Sequence, residues 1–310
     1  MIVCGDIGGT KALLGIAEIV EGRPGFVFRR RYECADCRSF DELFAAFRND
    51  AAAFAAGVTG GCLAVAGPVE DSGLSARITN LPWTVDAVRC GAHFGLPPLV
   101  LVNDFAAAAA GAAAAAPDDL VTVQAGDPLS EGVRLVVGAG TGLGMAVISG
   151  HGPEMRVLPG EGGHVGFSPQ DDVQSRIHAA LFAERGRVIA EHVISGPGLA
   201  AIHRVLAGEH VDAAVVAERA LAGEPTAARS LDAFLSAYGA FAGDMALAVM
   251  ARGGVFLAGG IAAKVLPAMR SGTFVRAFCA KGSHARLAQR MPVHIVTDPD
   301  LGLKGAALLA

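Results

Sequence analysis

The chain has 310 residues, 52% of them hydrophobic and 18% charged, with a net charge of −5. The charged share lies below the usual figure of about 25%, and a chain this apolar buries cores of ordinary size, which excludes intrinsic disorder. The negative balance and the lack of a basic stripe exclude a general nucleic-acid footprint. A mean hydropathy of +0.45 raises the question of a membrane. The longest apolar run, residues 105–116, is almost all alanine and falls well short of the ~20 residues that a span needs. No leader-like segment precedes the first strand-like residues, Ile2 and Val3, so the expectation is a cytoplasmic protein with no membrane and no nucleic acid among its partners.

Residues 1–4 and 12–17 read as two strands around a glycine turn, and 26–32 as a third strand. Ser39-Phe40-Asp41-Glu42 has the Ser…Glu spacing that opens a helix, here expected to run to about residue 56. Residues 62–66 form a short buried strand, 84–94 an amphipathic helix, and 99–102 an apolar strand ending in Asn103-Asp104, followed by an alanine helix to about residue 116. The opening pattern then returns: strands at 133–137 and 145–148 flank a second glycine loop about 130 residues after the first, so the chain reads as two related halves. Residues 172–252 are mostly helical, 255–258 and 293–296 are strands, and 302–309 is the last helix. The six cysteines include one Cys34-x-x-Cys37 pair, with neither the second pair nor the histidines of a zinc site, and they read as ordinary reduced cysteines.

Three glycine loops could cradle phosphate through backbone N–H groups: residues 5–11, 138–144 and 258–261. None matches the P-loop pattern. The second is followed by a strand, whereas a dinucleotide-binding loop must open a helix. Each loop alone reads equally as a hairpin turn that uses glycine for positive φ. Two such hairpins in two halves, each with Gly and Thr, point to nucleotide phosphates.

These loops, in this order, resemble those of the sugar kinases of the actin-like ATPase superfamily. Asp6-Ile7-Gly8-Gly9-Thr10 resembles their first phosphate motif, 138–144 their second, 255–261 their adenosine motif, Leu101-Val102-Asn103-Asp104 the segment bearing the catalytic aspartate, and 302–309 their final connecting helix. Thr79-Asn80-Leu81-Pro82-Trp83, the segment 159–165 (Pro-Gly-Glu-Gly-Gly-His-Val) and Ser195-Gly196-Pro197-Gly198 are similar to the bacterial glucokinases. The related ROK sugar kinases follow the shared Gly-His with a cysteine-rich zinc motif. Here no cysteine follows His164 until Cys279, which favours the zinc-free glucokinase group. Lys11 stands where many relatives carry Asn.

The resemblance implies a two-lobed α/β protein of the actin-like ATPase (ribonuclease H-like) fold, with a duplicated β-hairpin core and an interlobe cleft. Its domains are expected at 1–113 plus 298–310, and at 114–297 with helical insertions. The implied reaction is transfer of the γ-phosphate of ATP to the 6-hydroxyl of glucose, with Mg²⁺. A kinase for another hexose or amino sugar and a non-catalytic sugar sensor are the rivals. By local pattern Asp104 is equally a helix N-cap and a carboxylate at a strand end, where α/β sheets bind ligands; the resemblance makes it the general base, with Asn103 on the sugar hydroxyls. Glu161 and His164 flank Gly162-Gly163, which argues against a helical metal site and suits a loop aimed at vicinal hydroxyls. Glu191 reads as a solvated helix glutamate that the resemblance turns into a ligand of the anomeric hydroxyl. Gly5, Asp6, Ile7, Gly8, Gly9 and Thr10 with Gly140, Thr141 and Gly142 would hold phosphates, Asp6 would hold Mg²⁺ through water, and Gly259 and Gly260 would give room to the adenosine. Trp83, the single tryptophan, reads as structural and close to the sugar-side loop. A homodimer is also implied by the resemblance.

Overall fold

A computed structural model describes the backbone of residues 1–310 and the side chains of residues 1–152 and 154–310. The chain forms two compact units, Met1–Ala116 with Asp298–Ala310, and Pro117–Thr297.

The first unit is built on β1 (Ile2–Ile7), β2 (Lys11–Val20), β3 (Arg23–Glu33), β4 (Gly60–Val65), a small hairpin of β5 (Ser75–Arg77) and β6 (Thr84–Asp86), and β7 (Val100–Asn103). The main sheet has the order β3-β2-β1-β4-β7. β1 and β2 form an antiparallel hairpin, whereas β1, β4 and β7 run parallel, with Ile7 opposite Val65 and Val65 opposite Asn103. Three strands therefore end level, and the segments after Ile7, Val65 and Asn103 share one edge.

Helix α1 (Phe40–Asp50) buries Phe40, Leu43, Phe44 and Phe47, the i, i+3, i+4, i+7 stripe of an amphipathic helix. Ser39 Oγ accepts the Glu42 N–H, and the Glu42 carboxylate reaches back to the Arg38 N–H at 2.9 Å. The helix ends six residues earlier than the sequence suggests, and residues 51–57 continue as successive turns. The expected helix at 84–94 is half strand. Val85 pairs with Ala76 across the hairpin and both are fully buried, so helix α2 (Ala87–Ala92) starts only at Asp86, whose carboxylate accepts the Arg89 N–H. Trp83 is buried in this unit's core, which supports the structural reading. Helix α3 (Asp104–Ala113) packs against the C-terminal helix Leu301–Leu308, which also covers β1.

The second unit repeats the plan with β8 (Leu120–Gln124), β9 (Arg134–Ala139), β10 (Leu143–Ser149), β11 (Arg156–Gly160), β12 (Gly254–Ala258) and β13 (Val293–Val296), in the order β11-β10-β9-β12-β13-β8. β9 and β10 form the hairpin, and β9, β12 and β13 run parallel, with Gly138 opposite Ala258. The edge strands β8 and β11 have no counterpart in the sequence reading. Both are only partly buried and mix polar with apolar residues, so neither shows a clear period. Helices α4 (Asp172–Arg185), α5 (Gly196–Ala207), α6 (Ala213–Leu221), the 25-residue α7 (Pro225–Val249) and α8 (Gly260–Lys264) supply the helical layers. Tyr238 of α7 is fully buried and donates its hydroxyl to the Val137 carbonyl at 3.2 Å, tying helix to sheet. No helix among the described residues is long and apolar enough to cross a membrane.

Candidate active site

In the first unit the level ends of β1, β4 and β7 gather Asp6, the turn at Gly67, Asn103 and Asp104. The structure settles which of the last two caps α3. Asn103 is the N-cap: its Oδ1 accepts the Phe105 N–H at 2.9 Å, and its Nδ2 donates to the Gly67 carbonyl at 3.5 Å. Asp104 is the first helical residue, so the reading of Asp104 as the N-cap is corrected. One Asp104 oxygen still accepts the Phe105 N–H at 2.8 Å. Burial pushes its carboxyl above the usual carboxylate range, against the pull of that hydrogen bond.

Asp6 lies in the same cluster. Burial, and next the charge of Asp104, push its carboxyl up to about 6, with Lys11 pulling the other way. The carboxylate rests against the first turn of the C-terminal helix, where a Cβ on Gly302 would stand 2.6 Å from Asp6 Oδ2. The β1–β2 turn carries Gly8, Gly9 and Thr10. It is closed by Gly8 N–H to Lys11 carbonyl at 2.9 Å and backed by Cys34, whose N–H donates to the Thr10 carbonyl at 2.9 Å. Gly9 lies against the Thr79 carbonyl. Gly5 and Ile7 belong to β1 and turn their side-chain positions to the core: a Cβ on Gly5 would meet Leu14 and Leu63, and the Ile7 side chain is fully buried. All six cysteines are free.

The second unit brings the second and third glycine loops together at the ends of β9 and β12. A cavity of about 590 Å³ is lined by Gly140, Thr141, Gly196, Pro197, Leu199, Asp212, Gly260, Ile261 and Lys264 among others. Its walls are aliphatic, with a few polar groups, as small-ligand pockets are. Gly8, Gly9, Gly140 and Gly142 all lie outside the positive-φ region, so glycine is not there for turn geometry. Gly142 is pressed against the Glu191 carboxylate. A Cβ on Gly140 or Gly260 would meet nothing within 4 Å, and both line the cavity. Gly259 is different. Its φ is +84° and a Cβ would stand 2.6 Å from the Ala139 carbonyl, so it is required by the protein's own backbone rather than by a ligand.

Glu161 precedes and His164 ends the short 3₁₀ turn Gly162–His164, and Gly162 and Gly163 seat it tightly on Met145 and Leu143. The two side chains are exposed and their nearest atoms are 3.7 Å apart, too loose a pair to add much stability. This turn packs on a second one, Ala190–His192, so Glu161, His164 and Glu191 come from one locality. Glu191 sits in that 3₁₀ turn and not on a solvated helix face. Its Oε2 accepts the Leu143 N–H at 2.8 Å. No group of three or more His, Cys, Asp or Glu residues that could cage a metal occurs among the described residues. The half-buried Asp6 carboxylate beside Asp104 nonetheless fits Mg²⁺, which binds through one or two carboxylates, waters and substrate phosphates.

Sequence reasoning singled out Gly260 of this cavity but not the lining that α6 and the rest of α5 and α8 supply. It also passed over the Asn103 clamp on Gly67 and the Glu191–Leu143 bond. The last joins residues 48 apart, a contact that no local pattern reveals.

Two α/β units, each led by a β-hairpin whose glycine turn lies at the ends of parallel strands, define the actin-like ATPase fold. A family model described as Glucokinase matches residues 3–310. The glucokinase of Stenotrophomonas maltophilia is 38% identical over all of this chain and 94% of its own length, and that of Trichormus variabilis is 33% identical over 100% and 98%. A glucokinase structure from an Antarctic psychrotroph superposes with a TM-score of 0.89 at 30% identity, covering 99% of this chain and 98% of its own. The fold is shared as well by a ROK family glucokinase from Streptomyces griseus, solved with glucose and AMPPNP, at a TM-score of 0.64 and 21% identity. The chain belongs to the glucokinase family.

Proposed function

We propose that this protein is an ATP-dependent glucokinase that transfers the γ-phosphate of ATP to the 6-hydroxyl of D-glucose, giving glucose 6-phosphate and ADP. The observation that carries the chemistry is Asp104: Asn103 supplies the helix cap, and Asp104 is left as a desolvated carboxylate just past the end of β7, level with the ends of the parallel strands β1 and β4. In the reaction the sugar O6 forms a bond to the γ-phosphorus, the bond from that phosphorus to the ADP oxygen breaks, and Asp104 takes the hydroxyl proton. Asn103, Glu161, His164 and Glu191 read the sugar hydroxyls, the carboxylates accepting and the imidazole donating.

The backbone of the two glycine turns, with Thr10 and Thr141, holds the phosphates. Gly140 and Gly260, uncrowded by the protein itself, give the nucleotide room in the aliphatic cavity. Asp6 would hold Mg²⁺, and the ion when bound would neutralise charge on the phosphates. We read the protein as a cytoplasmic homodimer that feeds glucose into glycolysis.

An assay of ADP release against a panel of hexoses and amino sugars tests the reading. Glucose should give the highest kcat/KM with ATP as donor. ADP and polyphosphate as alternative donors should be poor. Nucleotide hydrolysis of equal rate without sugar, or preference for another sugar, overturns it.

A further inference from the structure

The sugar reading leaves one contact unexplained. Glu191 sends Oε2 onto the second glycine loop, accepting the Leu143 N–H at 2.8 Å. Gly142 is packed so closely that a Cβ there would stand 2.6 Å from the same oxygen. The segment carrying Glu191 holds the loop at a second point, where the Gly196 N–H donates to the Gly140 carbonyl at 2.8 Å. Ser195 links the two points, its hydroxyl donating to the Glu191 carbonyl at 2.7 Å and accepting the Gly198 N–H at 3.0 Å. Gly140 and Gly196 both line the cavity. Oε1 has no hydrogen-bond partner among the described residues.

We infer that Glu191 is a positioning residue for the nucleotide as well as a sugar ligand: one carboxylate oxygen fastens the loop 140–143, and the other is left for a sugar hydroxyl. The inference rests on the nucleotide and sugar reading given above. Electrostatics makes the contact informative. A carboxylate behind a loop that receives phosphates repels them, so its charge alone weakens nucleotide binding. A charged acceptor on a backbone N–H, in turn, is a stronger tether than a neutral one. The loop bond and the charge therefore act in opposite directions on nucleotide affinity, and substitutions separate them. Glutamine keeps an acceptor oxygen and drops the charge. Alanine drops both.

The test measures AMPPNP affinity calorimetrically with Mg²⁺ and without any sugar, together with amide exchange at Leu143. Glu191→Ala should weaken AMPPNP about tenfold and speed Leu143 exchange at least tenfold, while the β10 amides further on stay protected. Glu191→Gln should keep both within threefold of wild type, although it weakens glucose binding. Should Glu191→Ala fail to fold, Glu191→Asp, one methylene too short for the bond to Leu143, carries the same expectation in milder form. An AMPPNP affinity in Glu191→Ala within twofold of wild type, or tighter, overturns the inference and leaves Glu191 a sugar ligand only. So does unchanged Leu143 exchange. A wild-type protein that binds AMPPNP and shows this pattern, yet phosphorylates no sugar, retains the inference and loses the glucokinase reading.

Discussion

The two units use one topological device, a glycine hairpin at the end of parallel strands, and surround it differently. In the first unit the turn at Gly8 and Gly9 is backed by Cys34 and Thr79 and stands with a pair of desolvated carboxylates, Asp6 and Asp104. In the second, the turn at 140–142 is tied down by Glu191 and opens on an aliphatic cavity. A pair of desolvated carboxylates thus gathers at one copy and an aliphatic cavity at the other. A duplicated fold specialises through what packs behind and beside its loops, with the loops themselves little changed.

The sharpest way to break this contrast is Asp104→Asn. Loss of a general base typically costs roughly 10²–10⁴-fold in rate, so kcat should fall into that range while calorimetric glucose affinity changes far less. Because Asn103 is the cap, the variant should fold normally. A kcat within threefold of wild type would remove the acid chemistry from the first unit. Next in size, Glu161→Gln should raise the glucose KM roughly 5–150-fold, as expected when a polar partner is mismatched at a cost of about 1–3 kcal/mol; steady-state kinetics with ATP saturating reads it, and an unchanged KM places Glu161 away from the sugar.

Asp6 gives a stability test of the same contrast. Its carboxyl is raised to about 6 in the folded chain, so the folded state binds the proton more tightly than the unfolded one. This group therefore lowers stability as pH rises from about 4 to 6, and its full cost stands at neutral pH. Asp6→Asn, unfolded by urea in chelator-containing buffer, should match wild type near pH 4 and exceed it by up to about 3 kcal/mol at pH 7. An equal difference at both values would contradict the desolvation of Asp6 and, with it, its crowding by Asp104.

The smallest expected effects come from neighbouring glycines of the second unit. Gly259→Ala meets both a backbone conformation open only to glycine and the Ala139 carbonyl and should cost about 1–3 kcal/mol of stability. Gly260→Ala should leave the melting temperature within about a degree and raise the ATP KM severalfold. The opposite pattern would undo the assignment of the cavity to the nucleotide.

Much of this was legible in the sequence for a physical reason. Parallel strands buried on both faces are continuous apolar runs, so β4, β9, β12 and β13 stand out along with the loops after them. Edge strands are half solvated and lose the pattern, which hid β8 and β11. Thr84-Val85-Asp86 looked like a helix start because Asp86 is one, two residues late, and only pairing with Ala76 makes the preceding residues a strand. The candidate site followed the same division. Asp6, Asn103, Asp104 and the glycine loops announced themselves by position next to strands. The division of labour between Asn103 and Asp104, and the bond from Glu191 to Leu143, depend on side-chain directions that spacing does not encode.

The ladder between β4 and β7 is only four residue pairs long, from Cys62–Val100 to Val65–Asn103. Because side chains alternate along a strand, it works as a vernier. Deleting one residue within Val100–Val102 would exchange the faces of everything beyond, turning Asn103 away from Gly67 and denying α3 its cap. Frame-preserving insertions and deletions should therefore be purged from this short stretch more severely than point substitutions.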